Sequence, residues 1–193
     1  MVAKVVAAER CPARVNIVEN ESLSKIILQR VSEVYRSLGC DTHFPGFPGR
    51  RSIAMFNKHH ADGELARLQQ IDKIYTRPFV RSEVPVHVTT MSLWQHPDRA
   101  RVSAMPTGFM HGIIWEEEYA KNHSNMKKFY SDAEMFKAYR EHNLSGFLAN
   151  NEHVARLKPK PVQKERLLHV KLYHFLGAEF APFMKELSKA LRK

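Results

Sequence analysis

Apolar residues recur at helical spacing in the first part of the chain. In "NESLSKIILQRVSEVYRSLG" they fall at Leu23, Ile26, Ile27, Val31, Val34 and Leu38, the rhythm of an amphipathic helix. Asn20 or Ser22 can cap its start and Gly39 can close its end. A second such stretch, "DGELARLQQIDKIY", places Leu65, Leu68, Ile71, Ile74 and Tyr75 near one helical face, and Pro78 limits its length. Between the two, Cys40 to Lys58 loses periodicity and reads as a loop.

The period then changes to two. "EVPVHVTTMSLW" alternates Val84, Val86, Val88 and Thr90 with His87, Thr89, Met91 and Leu93, which predicts a strand. "QHPDR" supplies a turn and "ARVSAM" a return strand, so a small hairpin is expected, with Pro85 suited to an edge. "GFMHGIIW" reads as a third short strand or a buried loop. From Glu116 onward helices are expected, and Ser131 and Glu134 have capping-box spacing. The longest apolar stripe runs from Leu168 through Leu172, Phe175, Phe180 and Phe183 to Leu191. It predicts a C-terminal helix that Pro182 kinks.

The expected fold is therefore α+β, mostly α: amphipathic helices, a small antiparallel β-hairpin, an extended N-terminal segment and loops. The expected organisation is a mixed body over 1–157, a Pro/Lys linker over 158–161, and a C-terminal amphipathic helix over 162–193.

Charge changes this picture more than size does. The 193 residues suffice for a good core, and 44% hydrophobic content excludes a disordered chain. Lys and Arg number 30 against 20 Asp and Glu, a net charge of +10 that favours anionic partners. Only Cys11 and Cys40 are present, with no C-x-x-C spacing, which suits a reducing compartment or the mitochondrial matrix. The start carries Lys4, Arg10 and Arg14 like a transit peptide, whereas Glu9, Pro12 and the lack of serine argue against one. No apolar run approaches the roughly 20 residues that a membrane-spanning helix needs.

The stretch "FPGFPGRRSIAMFNKHHADG" concentrates the candidate chemistry. Two Pro-Gly turns stiffen a loop from which Arg50 and Arg51 project beside Phe44 and Phe47, a composition suited to gripping a partner. The same stretch resembles the segment before the catalytic lysine of mRNA guanylyltransferases. The Lys-x-Asp-Gly motif of that family is absent, because Lys58 and Asp62 are separated by three residues. His59, His60 and Asp62 are the candidate metal-binding or proton-moving group, with His43 and Glu64 nearby. Asp62 also suits the N-cap of the following helix.

Other groups have plain explanations. Glu116, Glu117 and Glu118 suit a helix start, with His111 and His123 on either side. His169 and His174, five apart, fall on different faces of a helix. Tyr35-Arg36 resembles part of the Leu-Tyr-Arg motif of small mitochondrial assembly proteins, with Val34 in place of the leucine. The basic pairs Arg99/Arg101 and Lys127-Lys128 come with no nucleic-acid-binding signature.

The sequence thus predicts a non-catalytic accessory subunit of a large assembly, mitochondrial or otherwise cytoplasmic, without cofactor. Phe44, Phe47, Arg50, Arg51, Phe180 and Phe183 are its expected contact residues, meeting other protein subunits, RNA or anionic lipid headgroups. An RNA-binding protein of ribosomal type is the alternative. A small metal-dependent hydrolase built on His59, His60 and Asp62 is the second.

Overall fold

A computed structural model describes residues 11–19, 22–155 and 157–192. The expected N-terminal extension over residues 1–10 and the cap at Asn20 lie outside them. In chain order the first elements are β1 (Val15–Val18), α1 (Ser22–Ser37), β2 (Gly46–Phe47), α2 (Gly49–Asn57), β3 (Gly63–Leu68) and β4 (Phe79–Arg81). There follow β5 (His87–Gln95), α3 (Arg99–Val102), β6 (Thr107–Met110), α4 (Ile114–Lys121), β7 (Met126–Phe129) and α5 (Asp132–Arg140). The last are β8 (Gly146–Asn150), α6 (Asn151–Val154), β9 (Val162–Gly177) and α7 (Ala181–Ala190).

The chain divides into two compact units. The first holds residues 24–87 and 171–193 with the N-terminal segment, and the second holds 88–170 with residues 20–23. The chain leaves the first unit within β5 and returns to it within β9.

In the first unit β1 pairs in parallel with both β2 and β3. The C-terminal half of β9 runs antiparallel to β3 and to β4. The core is aromatic: Tyr75 packs 4.6 Å from Phe56 and 5.4 Å from both Phe79 and Phe175, ring centre to ring centre. Tyr35 meets Phe183 at 5.0 Å, and Leu65, Leu176 and Leu187 close the interior. β3 and β9 approach so closely that a Cβ at Gly63 would overlap Leu176 and the Phe175 carbonyl. In the second unit β6 pairs in parallel with β7 and β8, and β8 runs antiparallel to β5. Its core gathers Trp94, Met110, Phe129, Met135, Tyr139 and Phe147.

Two expected elements are present. α1 buries Leu23, Ile27, Val31 and Tyr35 and ends before Gly39, whose φ of 78° suits a residue without a side chain. Ser131 caps α5 by accepting from the Glu134 N–H.

The mostly-α expectation is wrong. This is an α/β protein of mixed strands, and the largest errors lie where helical spacing of apolar residues occurs inside strands. "GELARL" is β3, followed by a single 3₁₀ turn over Gln69–Lys73. "ARVSAM" is not a return strand: Asp98 accepts from the Arg101 N–H and starts the short helix α3. The supposed loop at 40–58 contains β2 and α2. Most of the expected C-terminal helix is β9, where Leu172, His174, Phe175 and Leu176 are buried and 162–166 are exposed. Pro182 does not kink a helix; it sits in the first turn of α7, where its missing N–H costs nothing.

Candidate functional site

The most elaborate polar cluster surrounds Glu64, fully buried on β3. Residues three apart on a regular strand point to opposite faces. A β-bulge between Glu64 and Arg67 turns both to one side. The Arg67 guanidinium grips the carboxylate with both arms, Nε to Oε2 at 2.6 Å and Nη2 to Oε1 at 3.0 Å. The Tyr75 hydroxyl donates to Oε2 at 2.7 Å, and the Ser52 hydroxyl of α2 donates to Oε1. Burial first, and then the Glu64 charge, pushes the Tyr75 phenol well above its ordinary range. Four donors occupy the lone pairs of this carboxylate. It ties α2, β3 and the turn before β4 together.

Arg77 is engaged in the same way. Its Nη1 donates to the carbonyls of Phe56 at 3.1 Å and Ala61 at 2.9 Å, and its Nη2 pairs with Glu179 at 2.5 Å. His174 is held between Tyr35 Oη at 2.7 Å and the Leu65 carbonyl at 3.0 Å. Burial lowers its pKa to about 4. A Cys11–Cys40 disulfide joins the segment before β1 to the segment after α1, although the cysteine count suggested no such bridge.

The residues singled out in the sequence scatter. Phe47 is half-buried, with the guanidinium carbons of Arg14 and Arg51 each 5.4 Å from its ring centre. Phe44 packs edge-on against Tyr35 at 5.5 Å. Arg50 and Arg51 are exposed in the first turn of α2. Phe180 and Phe183 are buried within the first unit, so their contacts are internal. His59 and His60 are exposed after α2. Asp62 caps no helix; its carboxylate accepts from the N–H groups of Ala13 at 2.6 Å and Arg14 at 2.9 Å and anchors β1. Among the described residues no group of three His, Cys, Asp or Glu is placed to hold a metal. In the second unit Glu116 accepts from the Met110 N–H at 2.6 Å and Glu117 from the Gly112 N–H at 2.8 Å. The acidic start of α4 thus braces its own entry turn, with His111 3.0 Å from Glu117.

A cavity of about 210 Å³ lies in the first unit between the β4 end and one face of α7. Val80 and Arg81 form one wall; Ala181, Met184, Lys185 and Ser188, recurring at helical spacing, form the other. Arg81 lies over the Tyr173 ring at 4.5 Å and 3.8 Å from Asp72. Glu83, at the rim, pairs with Arg192, and its N–H donates to Ser188 Oγ at 3.1 Å. The sequence marked Glu64 only as a neighbour of the candidate histidines, because a bulge and a strand-to-helix contact bring its actual partners together.

No protein-family model matches the sequence, and no curated protein matches it. Solved structures do. A mutant of the arginine-binding protein ArgBP from T. maritima superposes with a TM-score of 0.71 at 12% identity, covering 93% of this chain and 87% of that one. The ancestral amino acid-binding protein AncCDT-1, a precursor of cyclohexadienyl dehydratase, gives 0.72 at 12% identity over 93% and 88%. AbpA, an amino acid ABC transporter substrate-binding protein from Streptococcus pneumoniae bound to L-arginine, gives 0.69 at 9% identity over 93% and 87%. These likenesses overturn the expected accessory subunit of a mitochondrial assembly and give the RNA-binding alternative no support. Among the described residues no helix is long and apolar enough to cross a membrane. The chain has a periplasmic-binding-protein-like fold.

Proposed function

We propose that this protein binds a small polar solute of the amino-acid class. The observation that carries this reading is the likeness over 93% of the chain to structures described as amino-acid-binding proteins. Fold alone does not fix function, so the reading also needs groups suited to such a solute. Open α/β sheets take ligands outside the carboxyl ends of their parallel strands. In the first unit the ends of β1 and β2 present Glu19, Phe47 and, one helical turn on, Arg51. An exposed guanidinium beside an aromatic ring suits a carboxylate on a short side chain. In the second unit the ends of β6, β7 and β8 present His111, Tyr130 and Asn150. The net charge of +10 steers acidic solutes toward the protein and disfavours cationic ones.

The Cys11–Cys40 disulfide supports an oxidising compartment rather than the mitochondrial matrix or cytoplasm. A membrane transporter, the partner implied by the description of AbpA, is the protein partner that fits this function.

Thermal unfolding measured with each common amino acid tests the reading. One or a few of them raise the melting temperature of the native chain, and Arg51→Gln or Phe47→Ala reduces that rise. No shift with any amino acid, in protein first freed of bound solute, contradicts it.

A further inference from the structure

The cavity beside α7 holds charged groups that the fold leaves unused, and we propose that it is a second binding site, for a small carboxylate with a short apolar chain. The site lies wholly within the first unit and does not rest on the solute-binding reading above.

Arg81 is the centre of the argument. A guanidinium presents five N–H donors in a rigid fork, and a partly buried one usually satisfies several of them. Arg81 has an ion pair of 3.8 Å with Asp72, beyond hydrogen-bond distance, and a ring contact with Tyr173, and it donates no hydrogen bond within the described residues. Those two contacts fix its plane and position without using its donors. Its Nη1 is buried without a hydrogen-bond partner, while the side chain as a whole is 31% exposed, so the Nε and Nη2 edge of the fork is the reachable one.

The rest of the cavity adds to this charge. Lys185 is exposed on the α7 wall. Ser188 is buried, and its oxygen already accepts from the Glu83 N–H, which leaves its own hydrogen to donate. Glu83, the carboxylate of the lining, is neutralised by Arg192. The balance therefore favours an anion, and a planar fork favours the two coplanar oxygens of a carboxylate. Val80, Ala181 and Met184 supply an apolar wall that a bare oxyanion would leave uncovered. A volume of 210 Å³ admits a molecule of a few heavy atoms, below the usual size of drug-sized pockets.

The test follows backbone amide shifts of the isotopically labelled full chain during titration with sodium butyrate. Butyrate moves the amides of Val80, Glu83, Met184, Lys185 and Ser188 with an affinity on the order of 1 mM. Arg81→Gln weakens this about tenfold or more, the cost of a charge-assisted hydrogen-bond pair. Arg81→Lys, which keeps the charge and loses the fork, recovers only part. Lys185→Gln, on an exposed position that leaves folding untouched, weakens binding by a smaller factor. The proposal is overturned if butyrate leaves these amides unmoved, if n-butylamine moves them equally, or if every variant binds as the parent does. Inorganic phosphate binding as tightly as butyrate would overturn the assignment to a short-chain carboxylate.

Discussion

Arg67 and Arg81 stand on neighbouring elements of one unit and are used in opposite ways. Arg67 spends its fork on a fully buried carboxylate that two hydroxyls also serve. Arg81 has its plane set by an aromatic ring and a distant carboxylate, and donates nothing. A buried charge is stable only when its partners are complete, so the first arrangement is structural. A positioned charge without hydrogen-bond partners, open to a cavity, is what recognition of an anion requires.

Breaking the first arrangement has the largest effect. Glu64→Gln leaves the Arg67 guanidinium without its counter-charge and lowers unfolding free energy by about 3–5 kcal/mol, as read by denaturant titration. Replacing Glu64 and Arg67 together with Leu and Met costs less than replacing Glu64 alone, because no charge is then orphaned. Next comes the disulfide. Its 29-residue separation corresponds to roughly 3–4 kcal/mol of loop entropy, lost in a Cys11→Ser/Cys40→Ser protein.

His174 sharpens the comparison through pH. Its pKa is about 4 in the folded protein against an ordinary 6.5. The unfolded chain therefore gains a proton below pH 6.5 that the folded chain refuses until about 4. Stability falls on acidification across that window, by about 3 kcal/mol in all, and is flat with respect to this group outside it. His174→Gln removes that dependence, which denaturant titrations at several pH values would reveal. The smallest effect belongs to Arg81. Its conversion to Gln changes stability by less than about 0.5 kcal/mol, since an exposed ion pair at 3.8 Å contributes little. A loss as large as that at Glu64 would erase the distinction between the two arginines.

The same pair shows what a sequence can reveal. α1 was legible because its apolar positions and closing glycine agree with one another. The α5 start was legible because a capping box is local. β3 was not, since "ELARL" carries helical spacing, and only the bulge opposite β9 puts Glu64 and Arg67 on one face. β9 misled for a related reason: its exposed first half and buried second half give Leu168, Leu172 and Phe175 the spacing of a helical stripe. Of the candidate residues, Phe47 and Arg51 do meet, across the junction of β2 and the first turn of α2. Arg81 could not be singled out, because its distinction is the absence of partners, a property of the fold and not of spacing.

The central claim is that this chain binds an amino-acid-like solute, and calorimetry tests it most directly. The protein is unfolded, dialysed free of bound solute, refolded, and titrated with individual amino acids. The account predicts a saturable one-to-one heat for at least one of them, preserved in Arg81→Gln and diminished in Arg51→Gln. Refolded protein that gives no heat with any amino acid, while its unfolding remains cooperative, would contradict it.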